Sequence, residues 1–232
     1  MAKKKKGAKV KSKASKASKS KLKGRKVSKG SRKAAKRVAK RGMPKRAARA
    51  MKVQAAKKVT GTPNLLVTYD PNHRGLAENE VREAFRKIGQ KADVVSSGVE
   101  GLFELKTANP RDAVRQLRKL CAREPALFKS TYHYTPIDVW CKSEVSEMQR
   151  HIREYEKKIG NDEKWRMSLN KRHWDKMEGT PLIIKLTEGI DRPKVDLDSP
   201  QKIVQVEIIG NRAGIALIAP EEYLNVLKMR TP

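Results

Sequence analysis

The first carboxylate in the chain is Asp70. Before it, residues 1–58 carry 26 Lys plus Arg side chains and no Asp or Glu. That stretch contains no aromatic residue and a single leucine, Leu22. Like charges repel, and nothing is available to bury, so residues 1–62 are expected to form a Lys/Arg-rich disordered tail outside any folded core. Its first half runs in near-repeats such as KASKASKS. Residues 32–58 are richer in Ala and Arg, with Pro44 the one strong breaker. Alanine favours helix and the like charges oppose it, so that part is expected to gain helix only on an anionic partner. The other 174 residues hold 29 basic and 25 acidic side chains, a net charge of +4 out of +30 for the whole. Folding therefore falls to a near-neutral body.

The arm needs an anionic partner. Nucleic acid fits, because neutralising phosphates releases condensed counterions. A membrane surface fits poorly, because interfacial helices need an apolar face with Trp, Phe or Leu. No apolar run approaches the ~20 residues of a span, and the N-terminus lacks the apolar core of a signal peptide. Cys121 and Cys141 are far apart, with neither zinc-ligand spacing nor a Cys-x-x-Cys redox pair. These features point to a cytoplasmic protein with reduced thiols.

In the body, Asn64–Asp70 (NLLVTYD) reads as a strand. Leu76–Gly89 places Val81, Ala84, Phe85 and Ile88 at helical spacing. Ala92–Ser97 and Gly101–Thr107 read as two strands about a glycine-bearing turn. Asn109 is expected to cap a helix that has Pro110 at its first position and Ala113, Leu117, Leu120 and Cys121 as its stripe. Lys129–Cys141 is a further extended run. The order β-α-β-β-α-β is the ferredoxin-like pattern, and residues 63–142 are assigned to it.

After Ser143, residues 143–232 read as an αβαββ unit on one small sheet. Val145, Met148, Ile152, Tyr155 and Ile159 space a helix. Lys164–Trp174 (KWRMSLNKRHW) alternates, with Trp165, Met167 and Leu169 on one face and Lys164, Arg166, Ser168 and Asn170 on the other. Thr180 and Pro181 open a helix containing Leu182, Ile183, Leu186 and Ile190. Ile203–Ile209 and Ile215–Ile218 are nearly continuous apolar runs, as in strands covered on both faces. A short helix is expected near Glu221–Lys228. The fold class is α/β (α+β): a ferredoxin-like domain followed by a second small α/β domain.

Catalytic motifs are missing from the sequence. No glycine-rich turn follows a strand so as to cradle a nucleotide or a methyl donor, and no His-x-Glu precedes a Cys pair. His73, His133, His151 and His173 fall in separate elements without metal-ligand spacing. Asp196 and Asp198 flank Leu197 ahead of Pro200 and read as a turn. The expectation is a chain with no cofactor, no metal, no small-molecule substrate and no enzymatic activity.

Val195–Gly210 (VDLDSPQKIVQVEIIG) resembles the signature of the THUMP domain. The match lies in Val195-Asp196-Leu197, then Pro200, then the alternating strand ending Val206-Glu207-Ile208, with the basic strand Lys164–Trp174 ahead and NRAGIALI (211–218) behind. The resemblance covers about residues 64–228. It implies tRNA binding at the acceptor stem and 3′ end, through backbone contacts and stacking. The positions it nominates are Lys164, Arg166, Lys171, Arg172, His173, Asn211 and Arg212, with Trp174 a possible stacking surface. Family proteins lacking a catalytic domain resemble adaptors that present tRNA to an RNA cytidine acetyltransferase for N4-acetylcytidine formation, and that role and partner are expected here. The long arm departs from the family pattern. Its composition is similar to extensions that thread into ribosomal RNA, so a ribosome- or rRNA-associated protein is the alternative.

Overall fold

A computed structural model describes residues 61–230. The expected disordered tail lies outside the described residues. Within the body, the strands form two sheets and the chain folds as an α+β protein with five α-helices among the described residues. No helix there is long and apolar enough to cross a membrane.

The first sheet is antiparallel, with order β2-β3-β1-β4-β9. Its strands are β1 (Leu65–Tyr69), β2 (Ala92–Ser96), β3 (Leu102–Thr107), β4 (Thr131–Pro136) and β9 (Leu224–Asn225). Helix α1 (Arg74–Lys87) buries Ala77, Val81, Ala84 and Phe85. Helix α2 (Pro110–Arg123) buries Ala113, Val114, Leu117, Leu120 and Cys121. Both stripes have the i, i+4, i+7 spacing that lays one helix face on a sheet. They meet Leu65, Val67, Phe103, Leu105 and Tyr134 in one core. Burying each large side chain contributes roughly 1.5–3 kcal/mol. Asn109 supplies a carbonyl to the amide of Ala113 at 2.9 Å but makes no side-chain cap.

The extended run expected over Lys129–Cys141 is two strands in two sheets. It breaks after Pro136, whose ring removes an amide donor. Residues Val139–Lys142 then form β5 in the second sheet, order β5-β8-β7-β6. Here β6 (Trp165–Arg172) pairs parallel with β7 (Lys202–Ile209), and β7 pairs antiparallel with β8 (Arg212–Ile218). Helices α3 (Val145–Glu156) and α4 (Gly179–Thr187) cover one face through Met148, Ile152, Tyr155, Leu182 and Leu186, against Trp165, Val204, Val206, Ile208 and Ile215.

The other face of this sheet turns toward the first sheet. Leu66, Leu102, Ile137 and Ile209 form a small apolar cluster there. Around it the layer is polar: Glu104, Thr135, Gln205 and Glu207 are all buried. This double coverage explains the near-continuous apolar runs of β7 and β8. At the C-terminal end, the expected helix near Glu221–Lys228 is a 3₁₀ turn (Pro220–Glu222), then β9, then a short α5 (Val226–Arg230). Leu224 and Val226 enter the core of the first sheet, not the second.

Candidate nucleic-acid interface

The seven nominated positions fall into two groups at opposite ends of β6. Eight residues of strand span roughly 23 Å, so no single small ligand touches both groups.

At the leading end, Lys164 and Arg166 face the loop that carries the Val-Asp-Leu-Asp segment. Asp196 organises this loop. One carboxylate oxygen accepts the amides of Asp198 (3.0 Å) and Ser199 (2.9 Å). The other accepts the Lys164 ammonium at 2.9 Å. The Ser199 amide, then Lys164 and the Asp198 amide, hold the Asp196 carboxyl down at about 2. The loop is pinned to the strand by Asp196 N–H to the Trp165 carbonyl, 2.9 Å. Arg166 donates to the Leu197 carbonyl at 2.7 Å, and its buried Nε has no partner. The turn role read for Asp196 is therefore its role in the structure.

At the trailing end, β6 meets the β7–β8 hairpin. Gly210 takes φ +57° there, the left-handed conformation that favours glycine at a two-residue hairpin. Ser143 ties the pieces together. Its hydroxyl donates to the Gly210 carbonyl (2.8 Å), its amide to the Asn211 carbonyl (3.0 Å), and its carbonyl accepts the Trp174 indole N–H (3.1 Å). Trp174 is thus a buried packing residue and not a stacking platform. His173 is exposed and sits at φ +53°, the one non-glycine residue with positive φ among the described residues. It lines an open cleft of about 520 Å³ with Asn211, Lys142, Lys176, Glu144 and Asp175. Two cations and two carboxylates cancel there.

The other three nominated cations are engaged inside the body. Lys171 donates to the Met177 carbonyl at 2.6 Å, with its ammonium 5.6 Å from the Trp174 ring centre. Arg172 donates to Glu207 at 3.2 Å. Glu207 also accepts from Asn170 (2.7 Å) and Gln205 (2.8 Å), yet burial dominates and pushes its carboxyl above the usual range. Arg212 pairs with buried Glu104 and lies 4.5 Å over the Trp140 ring. Sequence reasoning passed over Lys142 and Lys176 in the cleft. It also passed over Arg118 and Lys228, which lie beside Arg166. A basic residue on a loop, a strand end or a helix flank carries no periodic signal that separates it from ordinary solvated surface.

No group of three His, Cys, Asp or Glu side chains among the described residues could hold a metal ion.

No family model matches the chain, and no curated protein matches it. Solved structures do. PH1313 from Pyrococcus horikoshii Ot3 superposes with a TM-score of 0.52 at 15% identity, over 70% of this chain and 55% of that one. A predicted N6-adenine-specific DNA methylase from Listeria monocytogenes str. 4b F2365 matches with a TM-score of 0.45 at 10% identity, over 68% of this chain and 40% of that one. A 4-thiouridine synthetase solved as an RNA complex with bound ATP matches with a TM-score of 0.39 at 14% identity, over 71% and 42%. This chain spans about half the length of these proteins. The expectation of no enzymatic activity does not stand: the chain spans only 55% of PH1313, and missing motifs in a part of such a length do not make a protein a non-enzyme. What the likeness to PH1313 shows is the fold alone.

Proposed function

We propose that this chain binds tRNA at the acceptor stem and 3′ end and presents it to an RNA cytidine acetyltransferase for N4-acetylcytidine formation. The observation that carries the reading is an arm with 26 cations and no carboxylate before Asp70, joined to a THUMP-like body of net charge +4. The arm supplies long-range attraction to phosphate. The body supplies ordered groups that respond to RNA shape. Lys164, Arg166, Lys171, Arg172, His173, Asn211 and Arg212 are the proposed contacts, with Lys164, Arg166, His173 and Asn211 those most open to a ligand. Arg172 and Arg212 support the surface through their internal ion pairs.

The test is capture of the full chain from cells, with sequencing of crosslinked RNA and identification of bound protein. tRNA together with an acetyltransferase is the expected result. Recovery of ribosomal subunits without tRNA would move the assignment to the ribosome-associated alternative, which the arm's composition favours. Purified acetyltransferase should modify tRNA faster when the chain is added.

A further inference from the structure

Several cations of the body are neutralised within it. Lys164 pairs with Asp196, Arg172 with Glu207, Arg212 with Glu104, Arg111 with Asp138 and Glu222, and Arg115 with Glu222. Three of the cations that have no carboxylate partner among the described residues meet in one place. Arg118 from α2, Arg166 from β6 and Lys228 from α5 line a cleft of about 300 Å³ that also includes Ser199, Tyr223 and Asn225. Arg118 donates to the Tyr223 carbonyl at 2.6 Å, and Arg166 to the Leu197 carbonyl at 2.7 Å. Each guanidinium is thus held in place by a neutral group that leaves its charge intact. One carboxylate, Asp198, also lines the cleft. Three positive charges against one contrast with two against two in the cleft at His173 and Asn211.

We propose that this cleft binds a phosphodiester group of RNA, so that the RNA path crosses from the β6 loop onto the first sheet and its helix α2. The inference rests on the RNA-binding reading above and deepens it. A planar guanidinium fork matches phosphate oxygens two at a time, and an ammonium adds a point charge. Ser199 and Asn225 offer neutral donors beside them. The Tyr223 ring is stacked on His133 with centroids 5.7 Å apart, which fixes one wall. Burial pushes the Tyr223 phenol up to about 12, so it stays a protonated donor at neutral pH. The cleft draws on both sheets, so an RNA seated in it would contact both halves of the body at once.

The test uses the full chain. Lysine acylation followed by mass spectrometry is run with and without tRNA, and again with inorganic phosphate at millimolar concentration. tRNA should slow acylation of Lys228 several-fold, while Lys91, on the far edge of the first sheet, should not respond. The double variant Arg118→Gln, Lys228→Gln should bind tRNA about tenfold more weakly. Its salt slope should fall by about 0.7–0.9, the share of one neutralised phosphate. Should Arg118→Gln unfold the chain, Lys228→Gln alone carries the test, because that side chain is exposed and has no carboxylate partner among the described residues. Unchanged Lys228 acylation with tRNA bound, or unchanged affinity and slope in the variants, overturns the cleft and leaves the tRNA reading standing. Protection by inorganic phosphate as complete as by tRNA makes it a small-anion site and overturns it too. An intact chain that binds no RNA sinks both readings together.

Discussion

Glu80 on α1 and Thr131 at the start of β4 are joined by two hydrogen bonds, backbone amide and hydroxyl both donating to the carboxylate. The same carboxylate takes the amides of Lys129 (2.9 Å) and Ser130 (2.8 Å). It is a buried plug for the turn into β4. Glu80→Ala would strand three amides and a hydroxyl away from water. The expected loss is about 3 kcal/mol or more, read from urea unfolding of the full chain. A loss below about 1 kcal/mol would mean the turn relaxes to find other acceptors.

Arg212 reaches from the second sheet to Glu104 in the first. Removing it leaves a buried carboxylate unpaired. Because Arg212 is itself partly exposed, Arg212→Met should cost on the order of 2–3 kcal/mol, below the usual figure for a fully buried pair. Adding Glu104→Gln should recover part of that. Thermal melts of the two single variants and the double variant would show the coupling, and strictly additive losses would deny it.

Reversing charge at Lys164 and Arg166 together should weaken tRNA binding without unfolding the body, since neither side chain belongs to the apolar core. The salt slope should fall by about 0.7–0.9 for each phosphate that is no longer neutralised. A folded variant with unchanged affinity and slope would remove the leading end of β6 from the interface.

Asp196 gives a pH signature. Its folded-state carboxyl is depressed to about 2 from an ordinary 3.8. A depressed acid contributes stability that is present above the ordinary value and lost as pH falls through the folded one. Loop order should therefore persist down to about pH 4 and fade between there and about pH 2. Carboxyl-detected NMR would follow the midpoint, and Lys164→Met should raise it. A midpoint near the ordinary value in the unmodified chain would contradict the loop geometry.

Deleting residues 1–58 should sharply lower affinity and its salt dependence for tRNA and unrelated RNA alike. The affinity ratio between intact tRNA and tRNA trimmed of its 3′ end should change little, because Lys-rich segments meet phosphate as point charges. Titrations at two salt concentrations would check this. Loss of the end preference along with the arm would place specificity in the arm.

Much of this architecture was legible because periodicity encodes burial. Val81, Ala84 and Phe85 on α1, and Trp165 and Met167 on β6, occupy the core that their spacing predicts. Misread were features that depend on a second layer. Alternation along β6 separates two faces but does not say what covers the second one. Arg172 was therefore nominated as an RNA contact with no sight of its partner Glu207, which is buried between the sheets. The unbroken apolar runs of β7 and β8 held that information, since strands covered on both faces imply a neighbouring layer for the whole sheet. Pro136 was the visible cue to the break between β4 and β5. For β9, two residues long, no pattern exists to be read.

That short strand has a consequence for the order of assembly. Tyr134 of β4 pairs with Leu224 of β9 across ninety residues of chain, and Leu224 and Val226 plug the core beneath α2. As the protein emerges from a ribosome, the first half is made early and finished late. Its sheet stays one strand short, with an apolar hole, through the whole synthesis of the second half. The nascent first half is therefore the part that would engage chaperones, and a chain arrested before residue 224 would be recognised as misfolded through its earliest-made sheet.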